Sequence, residues 1–182
     1  MVTKILAISG SLRQASLNTM LLRAVARLAP PGMDVRLFQG LGELPLFNPD
    51  IETTNPAPVQ RLRDAILATD ALLIASPEYA HGVTGVMKNA LDWMVGNETF
   101  VERPVALLNA SPRATHAQAA LRETVVTMSA RLVEEACITV PILGSDLDED
   151  AIAAHPEIRP ALVAALESLA AATHEAGRDN AN

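Results

Sequence analysis

Five consecutive apolar residues, Ala71 to Ala75, lie between two stretches of helical period, and this constrains the fold more than any other feature of the chain. A strand with no polar position has no face to give to water. It must lie inside a sheet covered on both sides, the setting of parallel strands joined by right-handed helical crossovers. The same pattern recurs along the chain. Ile5 to Ser9 is a short apolar run ending at Gly10, followed by Met20, Leu21, Val25 and Leu28 at helical spacing up to Pro30 and Pro31. Val35 to Phe38 reads as a second strand, Gly40 to Pro58 as a surface excursion rich in Gly, Pro and Asn, and Val59 to Thr69 as a helix. Beyond Ala75 come a loop from Ser76 to Gly82, a helix from Thr84 to Val95 capped by the Thr84 hydroxyl, and a strand from Val105 to Leu108. Ala120, Leu121, Val125, Met128 and Leu132 carry a helical period through Ala117 to Glu135. Cys137 to Leu143 supplies a fifth strand, and Ile158, Leu162, Leu166 and Leu169 mark a closing helix.

Five such strands predict a parallel sheet of order 2-1-3-4-5 between two helical layers, an α/β three-layer sandwich. In that order ligands bind outside the carboxyl ends of strands one and three, where the chain reverses direction. The loops to interrogate are therefore Gly10 to Asn18, Ser76 to Thr84 and Asn109 to His116. With 182 residues and no internal repeat or linker, the reading is one domain over residues 1–176, with 177–182 as a disordered tail.

A net charge of −7 disfavours polyanion partners, because nucleic-acid affinity rests on Lys and Arg neutralising phosphates. Any anion must be held locally. No apolar stretch has spanning length and the N-terminus lacks a signal-peptide core, so the expected location is the cytoplasm, with no membrane partner. The single cysteine, Cys137, reads as a small buried hydrophobe. Asp146, Asp148, Asp150 and Glu157 fall at calcium-loop offsets, but Ala151 stands at the turn position that needs Gly, so a solvated acidic loop is expected. His81, His116, His155 and His174 lack zinc-site spacing, and no hydrolase elbow is present.

The first loop, Gly10 to Thr19, joins a strand to a helix N-terminus. Backbone N–H groups, the hydroxyls of Ser11 and Ser16, and the planar fork of Arg13 could there surround a phosphate. The same residues also read as a helix cap beside a solvated Arg. Neither a nucleotide-triphosphate loop nor a dinucleotide fingerprint is present, which points to a single phosphomonoester. In the third-strand loop, small residues and Pro77 would let main-chain atoms approach a flat ring, with Tyr79 available to flank it. The plainer reading is an ordinary turn.

The Gly-Ser-x-Arg-x-x-Ser-x-Asn loop at Gly10 to Asn18, the stretch Leu44 to Asn48, and Ser76 to Tyr79 leading into Gly85 to Trp93 together resemble the NADPH-dependent FMN reductase family, which includes quinone, chromate and azo-compound reductases. The resemblance implies a flavodoxin-like fold and an enzyme that binds FMN. Such an enzyme takes electrons from NADPH or NADH and passes them to a quinone, free flavin or similar small-molecule acceptor, the flavin carrying the hydride chemistry without a protein nucleophile. It implies that Ser11, Arg13, Ser16, Leu17 and Asn18 gather around the FMN phosphate. Pro77, Glu78, Tyr79, Ala80 and Gly82 would lie along the ribityl and ring moieties, and the loop from Ser111 would close the other side. Ala80, Gly82 and Thr84 stand where the family usually has Asn, Ser and Pro, and His116 where it often has Gly. Arg113 is a candidate for a nucleotide phosphate or an anionic acceptor. Two other readings remain open, a flavodoxin-type electron carrier and a flavin-free binding or scaffold protein. Finally, Val86, Ala90 and Trp93 form a second apolar stripe beside Met87, Leu91 and Met94. With the family's helix-mediated dimers, that predicts a homodimer or homotetramer.

Overall fold

A computed structural model of the chain describes residues 2–179, with side chains through His174. Strands β1 (Thr3–Ser9), β2 (Met33–Leu37) and β3 (Ala71–Ala75) alternate with helices α1 (Leu17–Leu28), α2 (Pro49–Glu52) and α3 (Ala57–Leu67). A two-stranded hairpin, β4 (Glu78–Tyr79) and β5 (Gly82–Val83), precedes α4 (Gly85–Val95). Then follow β6 (Pro104–Leu108), α5 (Thr115–Thr127), β7 (Arg131–Leu132), α6 (Glu149–Ala154) and α7 (Ile158–Asp179). The main sheet runs β2-β1-β3-β6-β7 with every pair parallel, the flavodoxin-like order expected.

Alternation within the strands divides the core. Ile5, Ala7, Leu73, Ala75, Ala106 and Leu108 face Leu21, Val25, Leu162 and Leu166 of α1 and α7. Leu6, Ile8, Leu72, Ile74, Val105 and Leu107 face Leu62, Met87, Leu91 and Leu121 of α3, α4 and α5. All five residues of β3 are buried, as a central parallel strand requires.

The fifth strand is not where the apolar pattern put it. It is the two-residue β7, and the expected strand Cys137 to Leu143 contributes only one parallel bridge, Asn109 with Thr139. The cause is the end of α5. The helix stops at Thr127 rather than Glu135 because Ser129 turns left-handed at φ 63°, with Ala130 N–H donating to Val125 O and Ser129 N–H to Val126 O, a Schellman closure made without glycine. Met128 and Leu132 still pack on the core, from beyond the helix. Pairing resumes at once, Arg131 N–H to Arg103 O and Val133 N–H to Val105 O. The acidic loop is partly helical too, since Asp148 caps α6 through Ala151 N–H at 2.8 Å. Of the tail expected over 177–182, residues 177–179 continue α7 and 180–182 lie outside the described residues.

The second apolar stripe of α4 is covered by the chain itself. Pro45 O accepts from Asn89 Nδ2 at 3.0 Å and Trp93 Nε1 at 2.8 Å. Asn89 Oδ1 accepts from Phe47 N–H, and the Phe47 and Trp93 rings meet edge to face at 5.1 Å. Ala90 and Trp93 are consequently buried without a second subunit, so this stripe gives no separate support for a dimer. No helix among the described residues is long and apolar enough to cross a membrane.

Candidate functional site

A cleft of about 280 Å³ opens at the carboxyl ends of β1, β3 and β6, the switch point of the sheet. Leu17 and Asn18 form one wall, Ser76, Pro77 and Glu78 the floor, and Asn109 to Ser111 with Arg113 the other wall. Among the residues singled out from sequence, Leu17, Asn18, Pro77, Glu78 and Ser111 meet here. Ser11 and Arg13 instead line a neighbouring polar hollow on the β2 side of the first loop. Ser16 is buried as the N-cap of α1, accepting from Thr19 N–H at 3.2 Å. Tyr79, Ala80 and Gly82 belong to the hairpin and are not part of the cleft lining.

The first wall has unspent hydrogen-bonding capacity. Of the first four amides of α1, Thr19 N–H is taken by the Ser16 hydroxyl and Met20 N–H by Ser16 O, which leaves those of Leu17 and Asn18 free at the positive end of the helix dipole. Asn18 itself is 6% exposed, and its Oδ1 is buried with no partner. A buried acceptor left unsatisfied costs about 1–3 kcal/mol. It calls for a donor, and the two amides call for an acceptor. A polyhydroxylated chain ending in a phosphate offers both, so the residues present fit FMN.

The hairpin loop behaves differently. Glu78 lines the cleft, but its carboxylate is committed, with Oε2 accepting from Ala117 N–H at 2.9 Å and Oε1 3.2 Å from His81 Nδ1. Glu78 thus caps α5 from a distance, supplying what the N-cap residue Ala114 lacks. The Ala117 amide, then His81 and the His116 backbone, hold the Glu78 carboxyl below its ordinary range against opposing desolvation. The His81 and His116 rings meet edge to face at 4.5 Å over this strut, His116 opening α5 as a polar residue. Ala80 and His81 are both left-handed, at φ 50° and 59°, the two central positions of a type I′ turn. Ala carries strain there that Gly or Asn would relieve. The Thr84 hydroxyl accepts from Met87 N–H at 3.3 Å, capping α4, and donates to Gly10 O at 2.7 Å, tying the first loop to the third.

Ser76, Asn109, Ala110, Ala114 and Leu143 also line the cleft; the first four lie in the loops expected there, but none was singled out as a site residue. Asn109 is 4% exposed and organises its loop, accepting from Ser111 N–H at 3.0 Å and donating to Ala114 O at 3.3 Å. Its signal was a lone amide at the carboxyl end of an apolar strand. Leu143 is the last residue of the stretch expected as the fifth strand, a reading that did not bring it to the cleft. Cys137 is half-buried against the second core cluster with Leu107 N–H 3.3 Å from Sγ, and burial pushes its thiol up, consistent with a packing role.

The profile of the family described as NADPH-dependent FMN reductase matches residues 3–142. The chain is 43% identical to an NAD(P)H-dependent FMN reductase of Pseudomonas aeruginosa over 68% of its own length and 69% of that protein's. It is 33% identical to a quinone reductase of Pseudomonas putida over 93% and 94%. Among solved structures, FerB from Paracoccus denitrificans, a flavoenzyme NAD(P)H:(acceptor) oxidoreductase, superposes with a TM-score of 0.78 at 26% identity, covering 96% of this chain and 98% of that one.

Proposed function

The chain belongs to the NADPH-dependent FMN reductase family, and on that premise we propose that it is an oxidoreductase that binds FMN in the cleft between Asn18 and Ser111, oxidises NADPH or NADH, and reduces a quinone, free flavin or similar small acceptor. The observation that carries this reading is the unpartnered Asn18 Oδ1 beside two free helix amides. Bound FMN supplies the hydride chemistry, so no nucleophile is needed from the chain. The Leu17 and Asn18 amides would hold the phosphate, Asn18 Oδ1 would accept from a hydroxyl of the sugar-alcohol chain, and Pro77, with no N–H to satisfy, would give a rigid apolar surface. Arg113, exposed at the cleft edge, meets an anionic donor or acceptor.

Anaerobic mixing of FMN-loaded protein with NADPH and with NADH tests this. Bleaching of the flavin absorbance, reversed by a quinone, is expected. A protein that binds FMN but is bleached by neither nucleotide would be an electron carrier, and one that binds no FMN would be a scaffold.

The acidic net charge and the lack of a spanning helix among the described residues support a cytoplasmic protein without nucleic-acid or membrane partners. A homodimer or homotetramer is proposed on the family resemblance alone. Sedimentation at micromolar concentration decides it, a monomer refuting the proposal.

A further inference from the structure

Between the bridge at Thr139 and α6 the chain passes the cleft on a segment that is held at both ends and loose between them. At one end Ile142 is 1% exposed in the core layer under α1 and α7, and just before it Val140 N–H donates to Asn109 O at 2.7 Å. At the other end Leu147 packs against the same layer and Asp148 caps α6. Arg27, in the last turn of α1, pairs with Glu149 at 3.4 Å and with Asp150, which clamps the first turn of α6 to α1.

Residues 143–146 between these anchors are all exposed. Among the described residues, their hydrogen bonds stay within residues 142–147. Ser145 N–H and Ser145 Oγ both donate to Ile142 O, at 3.2 and 2.8 Å, and Leu147 N–H reaches Ser145 Oγ at 3.4 Å. Gly144 and Asp146 are left-handed, at φ 80° and 54°, and a Cβ added to Gly144 would meet nothing within 4 Å. Self-contained hydrogen bonding and few buried contacts mark a segment that moves at low cost. Its one apolar side chain is Leu143, which lines the cleft yet is 51% exposed. An exposed Leu means little by itself. This one shares the cleft with the apolar surfaces of Leu17, Pro77, Ala110 and Ala114. A flat ring lying on those surfaces would give Leu143 the cover it lacks, and the loose segment can bring it there.

We propose that residues 143–146 are a flap turning on Gly144, and that Leu143 is a positioning residue that closes over the ring of a flavin bound in the cleft and shields it from water. Ser145 and Asp146 stay in solvent. The proposal rests on the reading of the cleft as a flavin site. Leu143 meets the ring and not the phosphate, so riboflavin closes the flap as FMN does.

The test is stopped-flow mixing of apo protein with FMN and with riboflavin, followed by flavin fluorescence, for the wild type, Leu143→Ala, Leu143→Met and Gly144→Ala. Wild-type binding should show a fast phase whose rate rises with ligand concentration and a slower one whose rate levels off, the closing of the flap. Leu143→Ala should lose the slower phase and release both flavins about threefold to tenfold faster, the worth of burying about one to two methylene groups. Leu143→Met keeps the apolar reach and should stay within about twofold of the wild type. Gly144→Ala narrows the backbone range of the hinge and should slow the second phase while leaving the first in place. Since Leu143 is exposed without ligand, the apo Leu143 variants should melt with the wild type. Single-phase binding by the wild type, or release of both flavins from Leu143→Ala at the wild-type rate, overturns the flap and leaves the flavin site standing. A second phase unchanged in Gly144→Ala overturns the hinge, and faster release of FMN but not of riboflavin from Leu143→Ala overturns the contact with the ring. A wild type that binds neither flavin would refute the reading of the cleft itself, and the flap with it.

Discussion

The loop after β1 and the loop after β3 meet at the same cleft and have opposite hydrogen-bond economies. In the first, the Leu17 and Asn18 amides and Asn18 Oδ1 are left without partners inside the chain. In the second, Glu78 is bound to Ala117 and His81, and Thr84 to Gly10 and Met87, so its polar groups are spent on the chain itself. Unspent groups at a cleft are for ligand and spent groups are for the frame. Changes in the first loop should therefore move ligand affinity with little effect on folding, and changes in the second should do the reverse.

The most severe test is at the point where the loops touch. A methyl placed on Gly10 would stand 2.6 Å from Ser76 Cβ and 3.1 Å from its Cα, a clash with backbone that rotamer change cannot relieve. Gly10→Ala should destabilise the apo protein by about 1–3 kcal/mol in urea unfolding, the usual range for overpacking. Ser76→Gly in the same chain should recover part of the loss. Full stability in Gly10→Ala would mean that the loops are not held together as described.

Glu78 sharpens the comparison through pH. Its carboxyl is held below the ordinary range in the folded state, so the stability it contributes is present above the unfolded value of about 4.3 and is lost as pH falls through the lower folded value. Glu78→Gln should melt below the wild type at neutral pH, and the gap between them should close as pH falls below about 4. A gap that is constant down to pH 3 would show that the charge on Glu78 does not hold the α5 terminus. A smaller effect of opposite sign is expected at Ala80. Relieving its left-handed backbone with Ala80→Gly should raise stability by about 0.5–1 kcal/mol in the same urea experiment, and Ala80→Asn by less.

The fold was legible because burial on both faces leaves an unmistakable record in Ala71 to Ala75 and Val105 to Leu108. The fifth strand was not. α5 ends at Thr127 because Ser129, a residue that gives no stop signal, turns left-handed, while Met128 and Leu132 continue the helical spacing past the true end. At the site, the loops were legible from their placement after strands, and Leu17, Asn18, Pro77, Glu78 and Ser111 do line the cleft. Which polar groups would be spent inside the chain was not legible. The Glu78 to Ala117 contact spans 39 residues and the Trp93 to Pro45 contact 48, and no local pattern reports a bond at that range. The direction taken by Arg13 was hidden for a related reason, since a loop side chain has two sides to choose from and the sequence names neither.

The division of labour between the loops is tested most directly by thermal unfolding of Asn18→Ala and Glu78→Gln, each with and without saturating FMN. A ligand raises the melting temperature only by binding the folded state. Apo Asn18→Ala should melt at or slightly above the wild type, since it loses a buried acceptor that had no partner, and should forfeit much of the FMN-induced rise. Apo Glu78→Gln should melt lower and keep most of that rise. The contradicting result is the exchange of these outcomes, with Asn18→Ala losing stability in the apo protein while its FMN-induced rise stays whole.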